Sequence, residues 1–152
     1  MKAVPRIVAI NISSRKGIPK VTVPSGLFIE DFGLEGDAHA GKWHRQVSLL
    51  ALESIQRMTA LGVTGLCPGS FAENVTTENI VLFDLKPGDQ LFIDEVVLEV
   101  TQIGKECHQK CAIYHQIGKC AMPAEGIFTR VLQGGTLHPG QEIKVVNSRM
   151  DE

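Results

Sequence analysis

Short apolar runs broken by turn residues dominate this chain. Residues 8–13 read as a strand, and 17–24 as a turn leading into a short second strand. Residues 33–44, Gly-Leu-Glu-Gly-Asp-Ala-His-Ala-Gly-Lys-Trp-His, hold three glycines and little apolar periodicity. They predict a loop, and loops this long in compact domains tend to carry function. Residues 47–50 suit a short buried strand. Leu52, Ile55, Met58 and Leu61 recur at helical spacing ahead of Gly62, which predicts one helix. Residues 65–70 read as loop and 79–83 as a further strand. Pro87-Gly88-Asp89 is turn chemistry. Residues 90–93 and 96–103 predict a hairpin across Asp94-Glu95, with Val96, Leu98 and Val100 alternating against Val97, Glu99 and Thr101. Residues 127–132 read as one or two helical turns before Gly134-Gly135, and 143–146 as a closing strand.

Many short strands with one or two short helices predict a mainly β fold, an antiparallel barrel or sandwich, in a single domain over residues 1–152. No G-x-G-x-x-G or Walker-type motif and no regular β-α-β alternation is present, so nucleotide-binding α/β folds fit poorly. At 43% hydrophobic and 21% charged residues, the 152-residue chain is able to bury a real core. A net charge of −2 gives no basic field for nucleic acid, and aromatics are scarce at 5%. No apolar run approaches the roughly 20 residues that span a bilayer. The first residues are too short an apolar stretch for a signal peptide. The expectation is a cytoplasmic protein, where clustered thiols are reactive or metal-binding rather than disulfide-bonded.

The densest chemistry runs from Lys105 to Met122, where three of the four cysteines and two of the five histidines fall. Cys107, His108 and Cys111, with His115 and Cys120 behind, suit sulfur chemistry or soft-metal binding. Lys105, Lys110 and Lys119 favour a nearby thiolate. The bland alternatives are small buried hydrophobes, or a structural zinc site whose spacing lacks the usual paired C-x₂-C knuckles. Gly36-Asp37-Ala38-His39, followed by Lys42, His44 and Arg45, suits an anionic ligand and equally a solvated loop. Glu73 and Asn74, in a Gly69-led loop, can orient a ligand or tie down a turn. Arg130 can bind phosphate bidentately or sit in a surface salt bridge. Cys67, beside Pro68, suggests no role.

Taken in order, G-L-E-G-D-A-H-A-G-K-W-H-R-Q-V-S-L-L, G-S-F-A-E-N-V-T-T, L-K-P-G-D-Q-L-F-I with V-L-E-V-T-Q-I-G-K-E-C-H-Q-K-C, and G-I-F-T-R-V-L-Q-G-G with P-G-Q-E-I resemble the MOSC domain family. That family is named for the C-terminal domain of molybdenum cofactor sulfurase. The segments span roughly residues 33 to 145 and look most like the small stand-alone bacterial members. The resemblance implies a barrel-like β fold. It implies a cysteine after the long strand, here Cys107 or Cys111, that carries sulfur or ligates molybdenum of a pterin cofactor, with Cys120 as a further metal ligand. It matches Asp37, His39 and Arg45, with Lys42, to the loop at the anionic pterin phosphate. Glu73 and Asn74 match a second loop at the same site, and Arg130 joins them as a candidate for the cofactor.

On this reading the cofactor is molybdopterin-bound molybdenum, and His108 serves as acid or base near the thiolate. No pyridoxal-phosphate site is evident, so the sulfur donor is expected to be a separate cysteine desulfurase or similar protein. Molybdenum enzymes or cofactor-biosynthesis proteins would be the other partners, with no nucleic acid and no membrane. Two alternatives stand beside this one. The first is a molybdenum-dependent reductase component acting on N-hydroxylated compounds, although the added N-terminal region of such relatives is missing. The second is a non-catalytic zinc-stabilised module.

Overall fold

The computed structural model describes residues 3–104 and 125–148. Its main sheet orders eight strands: β11 (Lys144–Val146), β7 (Gln90–Ile93), β8 (Val96–Ile103), β9 (Ile127–Gln133), β5 (Val47–Ala51), β6 (Val75–Glu78), β1 (Arg6–Ile12) and β2 (Val21–Val23). All neighbours are antiparallel except β5 and β6, which are joined by the helix α1 (Leu52–Ala60). A second sheet of three strands sets β3 (Gly26–Ile29) between β10 (Gly135–Leu137) and β4 (Gly33–Leu34). The main sheet curls into a half-barrel. Its ends approach each other where Arg6 pairs with Glu142, and where the Ile7 amide donates to the Gln141 carbonyl at 3.0 Å. The expected mainly β, barrel-like class is the fold observed.

The β7–β8 hairpin follows the predicted bounds, with Ile93 opposite Val96 across Asp94-Glu95. Leu91, Ile93, Val96, Leu98 and Val100 all point into one core with Ile7, Ile10, Leu49 and Val75. Helix α1 forms where predicted, but of its four periodic residues only Ile55 and Met58 are buried, and Leu61 lies exposed just past its end. Ile55 and Met58 turn inward against Leu50, Phe71 and Phe128, in a second apolar cluster on the other side of β5 and β9.

Two expectations are corrected. Residues 127–132 are strand β9, not helical turns. β9 lies between β5 and β8, with Ile127 and Val131 in the main core and Phe128 in the α1 cluster. A strand apolar on both faces loses the alternation that marks strands in sequence. Residues 79–83 are not a strand either. The strand is Val75–Glu78, whose Thr76 and Thr77 are fully buried, and a 3-10 turn follows at Leu82–Asp84. Buried threonines disguised it as polar loop. β3 and β10 carried no strong signal because each opens on glycine. At the neighbouring Gly134 the backbone passes so close that an added Cβ would lie 2.4 Å from the Phe28 carbonyl oxygen.

Leu98 is wholly buried in the middle of β8. Leu98→Ala is expected to cost about 2–5 kcal/mol of folding stability, through lost transfer energy plus a cavity. Urea denaturation of the two proteins measures it, and a loss below about 1 kcal/mol would contradict this packing.

Candidate functional site

The Gly-rich loop is held from beneath by a buried ion pair. Lys20, in the turn before β2, donates to Asp37 Oδ1 at 2.8 Å, and neither side chain has solvent exposure. The Asp37 carboxylate also accepts the Ser13 amide at 3.1 Å on Oδ1 and the His39 amide at 3.0 Å on Oδ2. Burial alone would raise the Asp37 pKa. Contacts from the His39 and Lys20 side chains and from the two amides outweigh it, and hold the carboxyl well below the ordinary range. Lys20 Nζ lies 3.0 Å from His39 Nδ1 and 3.3 Å from Ser13 Oγ. The Lys20 amide meanwhile donates to the Gly69 carbonyl at 2.9 Å. One residue therefore ties the Gly-rich loop to the Gly69-led loop. Lys20 had no signal in the sequence, since only its buried partner distinguishes it from any surface lysine.

The Gly69-led loop is organised around Glu73, which is fully buried. Its carboxylate accepts the Gly69 amide at 2.9 Å, the Phe71 amide at 3.2 Å and the Thr76 hydroxyl at 2.8 Å. Burial pushes the Glu73 carboxyl up against those three contacts. Gly69 has a φ of +92°, and an added Cβ would lie 2.2 Å from the Lys20 carbonyl oxygen, so only glycine fits. Asn74, equally buried, accepts the Ser48 amide at 3.0 Å through Oδ1 and donates to the Asn11 carbonyl at 3.3 Å. Glu73 and Asn74 thus spend their polar atoms on protein groups and act as loop braces.

The other end of the Gly-rich loop faces open space. Lys42, Trp43 and His44 line a groove of about 390 Å³ together with Asp31, Glu99, Thr101 and Arg130. Arg130 pairs with Glu99 at 3.3 Å on the exposed side of β9. Arg45 donates from Nε to Gln102 Oε1 at 3.1 Å, with its guanidinium over the Phe128 ring at 4.9 Å. His44 Nε2 meets the same Gln102 oxygen at 2.9 Å. Gln102 stands near the end of β8, and Gly104 just beyond it donates to the Gly126 carbonyl at 2.6 Å.

Of the candidate residues, Lys42 and Arg130 share the groove, and Arg45 is fixed to the end of β8. Asp37 is turned inward, and His39 is part-exposed above it. Cys107, His108, Cys111, His115 and Cys120 lie outside the described residues. Among the described residues, no group of three His, Cys, Asp or Glu is placed to hold a metal ion. None of their helices is long and apolar enough to cross a membrane. Cys67 is exposed in its loop.

A curled, mainly β half-barrel with one helix and a braced Gly-rich loop defines a small β-barrel-like class. The MOSC domain model matches residues 36–144, and the chain belongs to that family. Among solved structures it is similar to the YuaD protein of Bacillus subtilis, with a TM-score of 0.79 at 18% identity, covering 98% of this chain and 99% of that one. It is also similar to YiiM of Geobacillus stearothermophilus, with a TM-score of 0.70 at 22% identity, over 94% of this chain and 75% of that one. YiiM of Escherichia coli gives 0.66 at 16% identity, over 96% and 72%. These likenesses establish the fold. No curated protein matches the chain significantly.

Asp37→Asn should be strongly destabilising, by about 3–5 kcal/mol, because it leaves Lys20 buried without its counter-charge. The pH dependence has a definite sign. Asp37 sits below its ordinary value of 3.8, so its contribution is fully present above that pH and is lost as pH falls beneath it. Unfolding curves from pH 3 to 7 check both, since the gap between wild type and variant should narrow at the acid end. Glu73 acts in the opposite sense, its burial weakening the fold as pH rises above its ordinary 4.5.

Proposed function

We propose that this protein handles molybdenum cofactor, with a thiolate at Cys107 or Cys111 that accepts sulfur as a persulfide or ligates the metal. One observation carries the reading. His44 and Arg45 of the Gly-rich loop both bond Gln102 at the end of β8, and the same strand leads through Gly104 towards Cys107, three positions on. Anion-binding groups and the approach to the thiol segment therefore meet at one strand end.

The residues fit the cofactor's chemistry. The groove sets Lys42 and Arg130 beside the carboxylates of Asp31 and Glu99, with the Trp43 ring, in a volume typical of small-molecule sites. Arg45, Lys42 and His39 would hold the anionic pterin phosphate, the arginine by paired N–H donors and the lysine as a point charge. When bound, the cofactor supplies molybdenum as a soft centre suited to sulfur ligands. The part-exposed imidazole of His39 offers a ring N–H to phosphate oxygen. His108, next to the thiol in sequence, serves as proton acceptor for Cys107.

The sulfur step needs a donor persulfide, R–S–SH, on a separate protein. The chain's thiolate attacks the outer sulfur. A new S–S bond forms on this chain, the donor's S–S bond breaks, and its electron pair leaves on the donor thiolate. No external oxidant is consumed.

Incubation with a cysteine desulfurase and cysteine should add the mass of one sulfur atom to the protein. Cys107→Ala or Cys111→Ala should abolish the gain, and Cys67→Ala should not. Retention of the gain when both Cys107 and Cys111 are replaced would refute the persulfide role. Molybdenum content after anaerobic purification tests the ligand role, and tightly held zinc in its place would favour the zinc-stabilised module.

A further inference from the structure

Trp43 is the single tryptophan of the chain, and it is 38% exposed. Its surroundings hold it still. The indole Nε1–H donates to the His39 carbonyl at 2.8 Å, and the His39 amide is in turn bound to Asp37. The His44 ring meets it edge-on, with centroids 5.9 Å apart. Lys16 Nζ lies 5.1 Å from the ring centroid, yet Lys16 is not part of the groove wall described above. The side chains lining the groove beside Trp43 are polar or charged. Among the described residues, the indole is therefore the one broad apolar plane in a wall otherwise built of charges and hydrogen-bonding groups.

We propose that Trp43 is the stacking platform for a planar heterocycle with hydrogen-bonding edges in this groove, an inference that rests on the pterin-site reading and names the residue that would recognise the ring. A rigid indole gives stacking area at little conformational cost. Around it Lys42 and Arg130 stand beside the carboxylates of Asp31 and Glu99, with Arg130 paired to Glu99 and Lys16 against the ring. A phosphate or sugar phosphate would use the cations but gain nothing from the plane. An apolar aromatic would use the plane and leave the charged wall idle. The ligand that uses both is flat and carries hydrogen-bond donors and acceptors at its edge.

A lone tryptophan makes the test direct. Pterin-6-carboxylate is titrated into the protein while Trp43 emission is followed, and retention of the pterin is measured separately by equilibrium dialysis. Saturable quenching is expected with the pterin and not with inorganic phosphate. Trp43→Ala, checked for folding by circular dichroism, should weaken retention by roughly 5- to 150-fold, and Trp43→Phe should restore most of it. Quenching by phosphate equal to that by the pterin would overturn the planar-ligand claim. Pterin retained by wild type and Trp43→Ala alike, without quenching, would overturn stacking and leave the pterin site standing. Failure of wild type to retain the pterin would overturn the site reading and the stacking with it.

Discussion

A lysine ammonium and a carboxylate, both shut away from water, determine where the Gly-rich loop lies. Such a pair gives little net stability, because desolvation of both charges offsets most of their attraction. It does give geometry. The Lys20 side chain engages Asp37 while its backbone amide engages Gly69, so two loops far apart in sequence are locked to each other. Either loop alone would be a flexible, glycine-rich connection. Joined through Lys20 they form one rim on the sheet, against which Ser13, just past the end of β1, adds its amide.

The two buried carboxyl groups of that rim are shifted in opposite directions. Asp37 faces an ammonium as well as two amides, and its charge is favoured despite burial. Glu73 faces two amides and a hydroxyl with no cation among its hydrogen-bond partners, and burial prevails. Both spend their oxygens on the protein. The neighbouring groove holds cations of its own at Lys42 and Arg130, set beside the carboxylates of Asp31 and Glu99.

Much of the fold was legible where one face of an element is buried and the other wet. Strand β8 alternates and helix α1 turns Ile55 and Met58 inward for that reason. Legibility failed where burial is two-sided, as at Phe128 and Val131 in β9, or where polar residues go inside, as at Thr76 and Thr77 in β6. The site shows the same division. The loop bearing Lys42 and Arg45 was visible as a glycine-rich run beside cations. Lys20 and Gln102 were not, because their importance lies in partners 17 and 57 residues away. Family resemblance ranked Asp37, Glu73 and Asn74 with the ligand-binding groups. Their contacts make them the braces that let neighbouring side chains face the groove.

The brace and the groove are mechanically continuous. Asp37 fixes the His39 amide, the His39 carbonyl fixes the Trp43 indole, and the next residue, His44, is caught by Gln102 on β8. Each link is an ordinary hydrogen bond worth about 1 kcal/mol, yet each removes a rotation from the wall of the groove. A ligand entering the groove would meet a wall already ordered, and binding would lose less conformational entropy than against a free loop. A buried ion pair of small net stability thus orders a groove wall it does not touch, through the run of hydrogen bonds along the loop between them.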